Sequence, residues 1–132
     1  MTDTTRRAKV LIVDDEADTV EIVERMLQGH GFETAHAYDG DQALQAAHRL
    51  KPDLIVLDVM MPEQDGWLVC AKLKALHPAP KIIIFTVLKH GESDRLAQFV
   101  HADDIIHKPF TQQQLLARIE HALTDRDAEP VS

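Results

Sequence analysis

The chain has 132 residues, 45% of them apolar, which fits one domain with an ordinary core. Its 14 Lys and Arg against 22 Asp and Glu give a net charge of −8, so the protein as a whole is repelled by nucleic acid and anionic membranes. No apolar run approaches the ~18 residues of a spanning helix, MTDTTRRAK leads into too short an apolar run for a secretory signal, and a single cysteine, Cys70, excludes an internal disulfide and suits a reducing cytosol.

Val10–Val13 is a short apolar run ended by charge, as expected of a strand buried on both faces. It leaves the core through Asp14-Asp15-Glu16, with no Gly, Asn or Pro. Acidic side chains at a helix N-terminus cap free N–H groups and suit the dipole, which accounts for one carboxylate better than for adjacent ones. Ala17–Gln28 carries Val20, Val23, Met26 and Leu27 at helical spacing and stops near Gly29 and Gly31. Phe32–Ala37 is a weaker strand, punctuated by Asp39-Gly40. Asp41–Leu50 places Ala43, Leu44, Ala47 and Leu50 on one helical face and ends before Pro52.

Leu54–Leu57 is a second buried strand, followed by Asp58 and a loop holding Pro62 and Gly66. Trp67–Leu76 reads as a helix closed by Pro78 and Pro80, with Cys70 a small apolar filler. Lys81–Thr86 (KIIIFT) is the strongest β signal in the chain. Glu92–Val100 is a short helix and Asp104–His107 a short strand that Pro109 interrupts. Thr111-Gln112-Gln113-Gln114 fits the capping-box pattern and opens a helix carrying Leu115, Leu116, Ile119 and Leu123. The domain is expected over residues 8–124, with flexible termini at 1–7 and 125–132.

Five βα units in strict alternation predict an α/β fold: a five-stranded parallel sheet, five helices on its two faces, and right-handed crossovers. The flavodoxin-like order 2-1-3-4-5, a three-layer sandwich, is the natural candidate, and its ligand site lies outside the carboxyl ends of strands 1 and 3. That topology gathers Asp14, Asp15, Asp58, Thr86 and Lys108 on one rim of the sheet.

Like charges at ~4 Å and an effective dielectric near 20 repel by about 4 kcal/mol per pair, so the three carboxylates call for a proton or a cation. Magnesium takes oxygen ligands, commonly one or two carboxylates, and leaves positions for water and phosphate. Lys108 supplies a fixed positive charge for a phosphoryl oxygen, and Thr86 a hydroxyl. An aspartate nucleophile, a metal, a lysine and a hydroxyl are the parts for phosphorylating an aspartate. Zinc is rejected: the histidines at 30, 36, 48, 77, 90, 101, 107 and 121 form no ligand motif.

At this point the residues resemble the receiver domains of bacterial-type two-component response regulators, over roughly Lys9 to Leu123. The resemblance rests on VLIVDDE (Val10–Glu16), KPDLIVLDVMMPEQDG (Lys51–Gly66), the Thr of IIIFT (Thr86) and ADDIIHKPF (Ala102–Phe110). It implies that Asp58 accepts a phosphoryl group from a phosphohistidine on a sensor histidine kinase or a histidine phosphotransfer protein. It implies Mg²⁺ held by Asp14, Asp15, Asp58 and the backbone carbonyl of Met60, with Lys108 on a phosphoryl oxygen and a cis bond to Pro109. Thr86 would carry the signal outward to a downstream effector protein or output domain. That output uses the face of the fourth helix, fifth strand and fifth helix, where His90, His101 and His107 lie in or near the surface, and a homodimer is a further possible output. On this reading the protein is cytoplasmic, a phosphoacceptor and not an enzyme beyond its own phosphorylation and dephosphorylation, with no direct nucleic-acid or membrane partner. The nine residues after Leu123 are too few for a DNA-binding output domain, so the tail is a natural end or the start of a linker.

Three positions depart from the family pattern. Ile105 stands three residues before the lysine, where the family has a switching Tyr or Phe. Val87 replaces the small residue after the threonine. His101 replaces a Gly at the end of the fourth helix, so it must accept a left-handed backbone or the helix must end differently. Met60 and Leu88, which flank the phosphoryl group in the family, cannot hydrogen-bond an attacking water well, which predicts slow self-dephosphorylation.

Rivals fit less well. A haloacid-dehalogenase-type phosphatase puts D-x-D at the end of strand 1 and needs a cap insertion; this chain has Asp14-Asp15 and no such insertion. A flavodoxin cradles phosphate with Ser, Thr and Gly in a loop that here is acidic. A phosphate-independent receiver fold stays open because of Ile105 and Val87, as does a receiver fragment of a longer regulator or hybrid kinase.

Overall fold

The computed structural model describes residues 7–61, 64–87, 97–98 and 100–125. Its strands are β1 (Lys9–Val13), β2 (Glu33–Ala37), β3 (Leu54–Asp58), β4 (Lys81–Thr86) and β5 (Asp104–His107). All neighbours pair in parallel in the order β2-β1-β3-β4-β5, as expected from the βα alternation. Four helices have bounds among the described residues: α1 (Ala17–Gln28), α2 (Gly40–Leu50), α3 (Gly66–Lys74) and α4 (Gln112–Asp125). The helix expected over Glu92–Val100 falls largely outside the described residues.

Strand side chains alternate between two faces, and each face buries its own layer. Leu11, Val13, Ile55, Leu57, Ile82 and Ile84 pack with Ala43, Ala47, Val69, Cys70 and Leu73 of α2 and α3. Val10, Ile12, Leu54, Val56, Ile83 and Phe85 pack with Val20, Val23 and Leu27 of α1 and Leu115, Leu116 and Ile119 of α4. Each fully buried Leu, Ile or Val contributes roughly 1.5–3 kcal/mol of transfer free energy, which is why the unbroken apolar strands end up central and the mixed β2 (ETAHA) at an edge.

Helix starts follow local chemistry. The Thr111 hydroxyl accepts the Gln114 N–H at 3.0 Å while Gln114 Oε1 accepts the Thr111 N–H at 2.9 Å, the reciprocal box expected there. Asp39 Oδ1 accepts the Gln42 N–H at 2.8 Å, and Asp65 Oδ1 accepts the N–H groups of Trp67 and Leu68. At α3 the far end differs from expectation: the helix stops at Lys74, because the Ala75 and Leu76 N–H groups tighten onto the carbonyls of Lys72 and Leu73. His101 takes the left-handed conformation at φ 64°, with the Ala102 N–H donating to the Ala97 carbonyl at 2.9 Å. It therefore does in a strained backbone what glycine does freely.

Register positions the rim. Val13 pairs with Leu57, so Asp14 and Asp58 are the next residues outward on adjacent strands. Asp58 pairs with Phe85, which sets Thr86 one step further out, and Thr86 pairs with His107, which sets Lys108 just beyond.

Candidate functional site

Asp14 is fully buried at the end of β1. Its N–H donates to the Ala37 carbonyl at 3.2 Å, Oδ1 accepts the Glu16 N–H at 2.9 Å, and Oδ2 accepts Lys108 Nζ at 3.2 Å. Burial raises its carboxyl above the ordinary carboxylate range; the Glu16 N–H and Lys108 oppose that rise, and the Asp58 charge adds to it. The capping account of the acidic block does not apply to Glu16, which sits at the N-cap of α1 without a side-chain bond to the helix backbone.

Asp58 is 6% exposed. Its Oδ1 accepts the Met60 N–H at 2.9 Å and its Oδ2 faces Lys108 Nζ at 3.4 Å. Asp15 is exposed, yet one oxygen from each of Asp14, Asp15 and Asp58 lies within 4.8 Å of the others. An all-oxygen, triply anionic cluster at a solvent-facing rim suits a hard divalent cation that keeps part of its water, so these residues fit a metal. Among the described residues it is the single group of this kind.

Lys108 closes the site from the opposite side. Its N–H donates to the Thr86 carbonyl at 2.8 Å, and the Lys108–Pro109 peptide is cis, as the resemblance implied. Its Nζ is also 4.5 Å from the centroid of the Phe85 ring, a cation–π contact that supports the ammonium from below. Phe85 was not singled out from the sequence; the available signal was an aromatic residue between three isoleucines and Thr86 in β4. Thr86 is fully buried at the end of β4.

The residues that depart from the family pattern are placed as follows. Val87 is 67% exposed. Ile105 is partly buried against the α2–α3 layer, and its carbonyl accepts Arg118 at 3.2 Å. Met60 is 49% exposed whereas Met61 is buried. Leu88 and His90 lie outside the described residues. None of the described helices is long and apolar enough to cross a membrane.

Comparison with known proteins converges on one family. The model of the response regulator receiver domain matches residues 10–120. The DNA-binding response regulator MtrA of Mycobacterium bovis is 40% identical over 126 residues, covering 96% of this chain and 55% of that protein. The chain thus spans about half the length of the curated relatives it matches. Among solved structures, a CheY-like receiver domain protein from Methanospirillum hungatei superposes with a TM-score of 0.88 at 25% identity, over 95% of this chain and all of the other. Vibrio cholerae CheY4 gives a TM-score of 0.83 at 29% identity, over 89% of this chain and 99% of the other. With the sheet order, the rim residues and these matches in agreement, the chain belongs to the response regulator receiver domain family of two-component signalling.

Proposed function

We propose that this domain is a Mg²⁺-dependent phosphoacceptor switch, in which Asp58 takes a phosphoryl group from a phosphohistidine of a sensor histidine kinase or histidine phosphotransfer protein. The observation that carries this reading is Lys108 Nζ, which stands 3.2 Å from Asp14 and 3.4 Å from Asp58. One ammonium thus shares two buried carboxylates and is positioned to meet a third anionic group arriving between them. In the transfer, an Asp58 oxygen bonds to phosphorus, the phosphorus–nitrogen bond breaks, and the departing imidazole nitrogen keeps the electron pair and takes up a proton. Lys108 then moves its hydrogen bond from the carboxylate to a phosphoryl oxygen. Thr86 offers its hydroxyl to a second one.

Asp14, Asp15, Asp58 and the Met60 carbonyl would hold the metal. Bound Mg²⁺ supplies neutralisation of the clustered carboxylates and of charge on the transferring group. The protein's own chemistry ends with gain and loss of phosphate, so we read it as a cytoplasmic signalling module and not an enzyme with a separate substrate. Its output is a surface around β5 and α4, offered to an effector protein or to an output domain of the same polypeptide. The second form gains support from the length and DNA-binding description of MtrA.

Intact mass after incubation with acetyl phosphate tests the reading. A one-phosphoryl gain that needs both Mg²⁺ and Asp58, and is lost in Asp58→Ala, is the expected result. No gain in a folded wild-type protein would favour a phosphate-independent interaction domain, to which Ile105 and Val87 point. Half-exposed Met60 offers no group to orient a hydrolytic water, so the label should persist for minutes or longer; loss within seconds would contradict that.

A further inference from the structure

At the other end of the sheet from Asp58 lies a cavity of about 500 Å³, formed where α2 runs into β3 and α3 into β4. This is within the range of small-molecule sites. His48, Lys51, His77 and Lys81 line it, and Asp53 is the sole carboxylate in its wall. In a chain of net charge −8, that is a local inversion of sign.

Basic residues near helix C-termini commonly serve to satisfy the last carbonyls. At the end of α2 that task is already filled by Lys9, whose Nζ donates to the Leu50 carbonyl at 3.4 Å, while Lys74 Nζ is taken up in the loop before β4, by the Pro80 carbonyl at 2.9 Å and Asp103 at 2.8 Å. Asp53 is likewise engaged, its Oδ2 accepting the Lys9 N–H at 2.8 Å. Lys81 reaches Asp103 only at 3.7 Å. The side chains of His48, Lys51 and His77 make no hydrogen bond or ion pair within the described residues. Lys51 is fixed at a left-handed helix end, φ 50°, with its N–H on the Ala47 carbonyl. Pro52, Pro78 and Pro80 restrain the backbone of both loops.

We propose that this cavity binds a small dianion, a phosphate ester or a dicarboxylate, held by Lys51, Lys81, His48 and His77. The site lies apart from the phosphoacceptor rim, and its existence does not depend on the function proposed above.

The test is a heteronuclear NMR titration of the whole chain in Mg²⁺-free buffer at constant ionic strength, with inorganic phosphate in one series and succinate in another. Saturable shifts confined to residues 47–53 and 76–81 are expected. In Lys51→Gln and in His77→Gln, each with an unchanged circular dichroism spectrum, affinity should fall at least 10-fold, while Lys108→Ala leaves it intact. Saturation by phosphate alone assigns the phosphate class, and by succinate alone the dicarboxylate class. Shifts that grow linearly in both series, or that centre on Asp58 and vanish in Lys108→Ala, would overturn the site.

Discussion

The ammonium of Lys108 lies 3.4 Å from Oδ2 of Asp58, a residue 50 positions earlier in the chain. In Mg²⁺-free protein this lysine is the cation that keeps the two buried carboxylates, Asp14 and Asp58, compatible with each other. Lys108→Ala should therefore have two separable effects. Urea unfolding in Mg²⁺-free buffer should show a loss of about 1–2 kcal/mol, less than for a fully buried pair because the lysine is 21% exposed, and added Mg²⁺ should recover much of it. The rate of phosphorylation by acetyl phosphate should fall roughly 100-fold, the scale of losing one charge-stabilising donor, and Mg²⁺ should not restore it.

Gly66 shows where the loop after Asp58 has no spare room. A Cβ added there would sit 2.3 Å from Cα of Val59 and 2.5 Å from its carbonyl oxygen, both backbone atoms that cannot rotate away. Gly66→Ala should cost roughly 2–3 kcal/mol, near the upper range for overpacking. Gly31→Ala is the control: at φ +90° with open space around it, it carries only the backbone penalty of about 1–2 kcal/mol. Thermal denaturation of the two variants distinguishes steric from conformational cost.

His101 pays the left-handed penalty that glycine avoids, at an exposed position. His101→Gly should raise stability by about 1 kcal/mol, reduced somewhat by the greater freedom of glycine in the unfolded chain. A fall in melting temperature would show that the imidazole makes a contribution of its own.

Cys70 supplies a pH prediction. Its thiol is fully buried, and burial pushes its pKa up from 9.0 to about 12; Lys74 acts against this and Asp103 with it. Because the folded value is the higher one, the contribution to stability is complete below pH 9 and is lost as pH rises from 9 towards 12. At pH 8 a disulfide reagent should react only through opening of the structure, so the modification rate should rise steeply with urea. Rapid stoichiometric labelling of the native protein would contradict the burial of this side chain.

The order of strands and helices was legible from apolar runs that alternate between strand and helix periods, because a strand buried on both faces must be apolar throughout and a packed helix must carry a stripe. Ala17–Gln28, Lys81–Thr86 and Asp104–His107 needed no adjustment. The capping box at Thr111 was equally readable, since its bonds span only three residues. Which polar groups would gather on one rim was also legible in the sequence: each is the last residue of a parallel strand or comes just after one, and parallel register leaves those ends together. What it could not show was how they share charge. That Asp14 is fully buried while adjacent Asp15 is exposed, that Lys108 stands over Phe85, and that His48, Lys51 and His77 converge at the far end of the sheet depend on contacts between segments distant in the chain. Burial and Coulomb energy are properties of surroundings in three dimensions, and only the folded packing decides them.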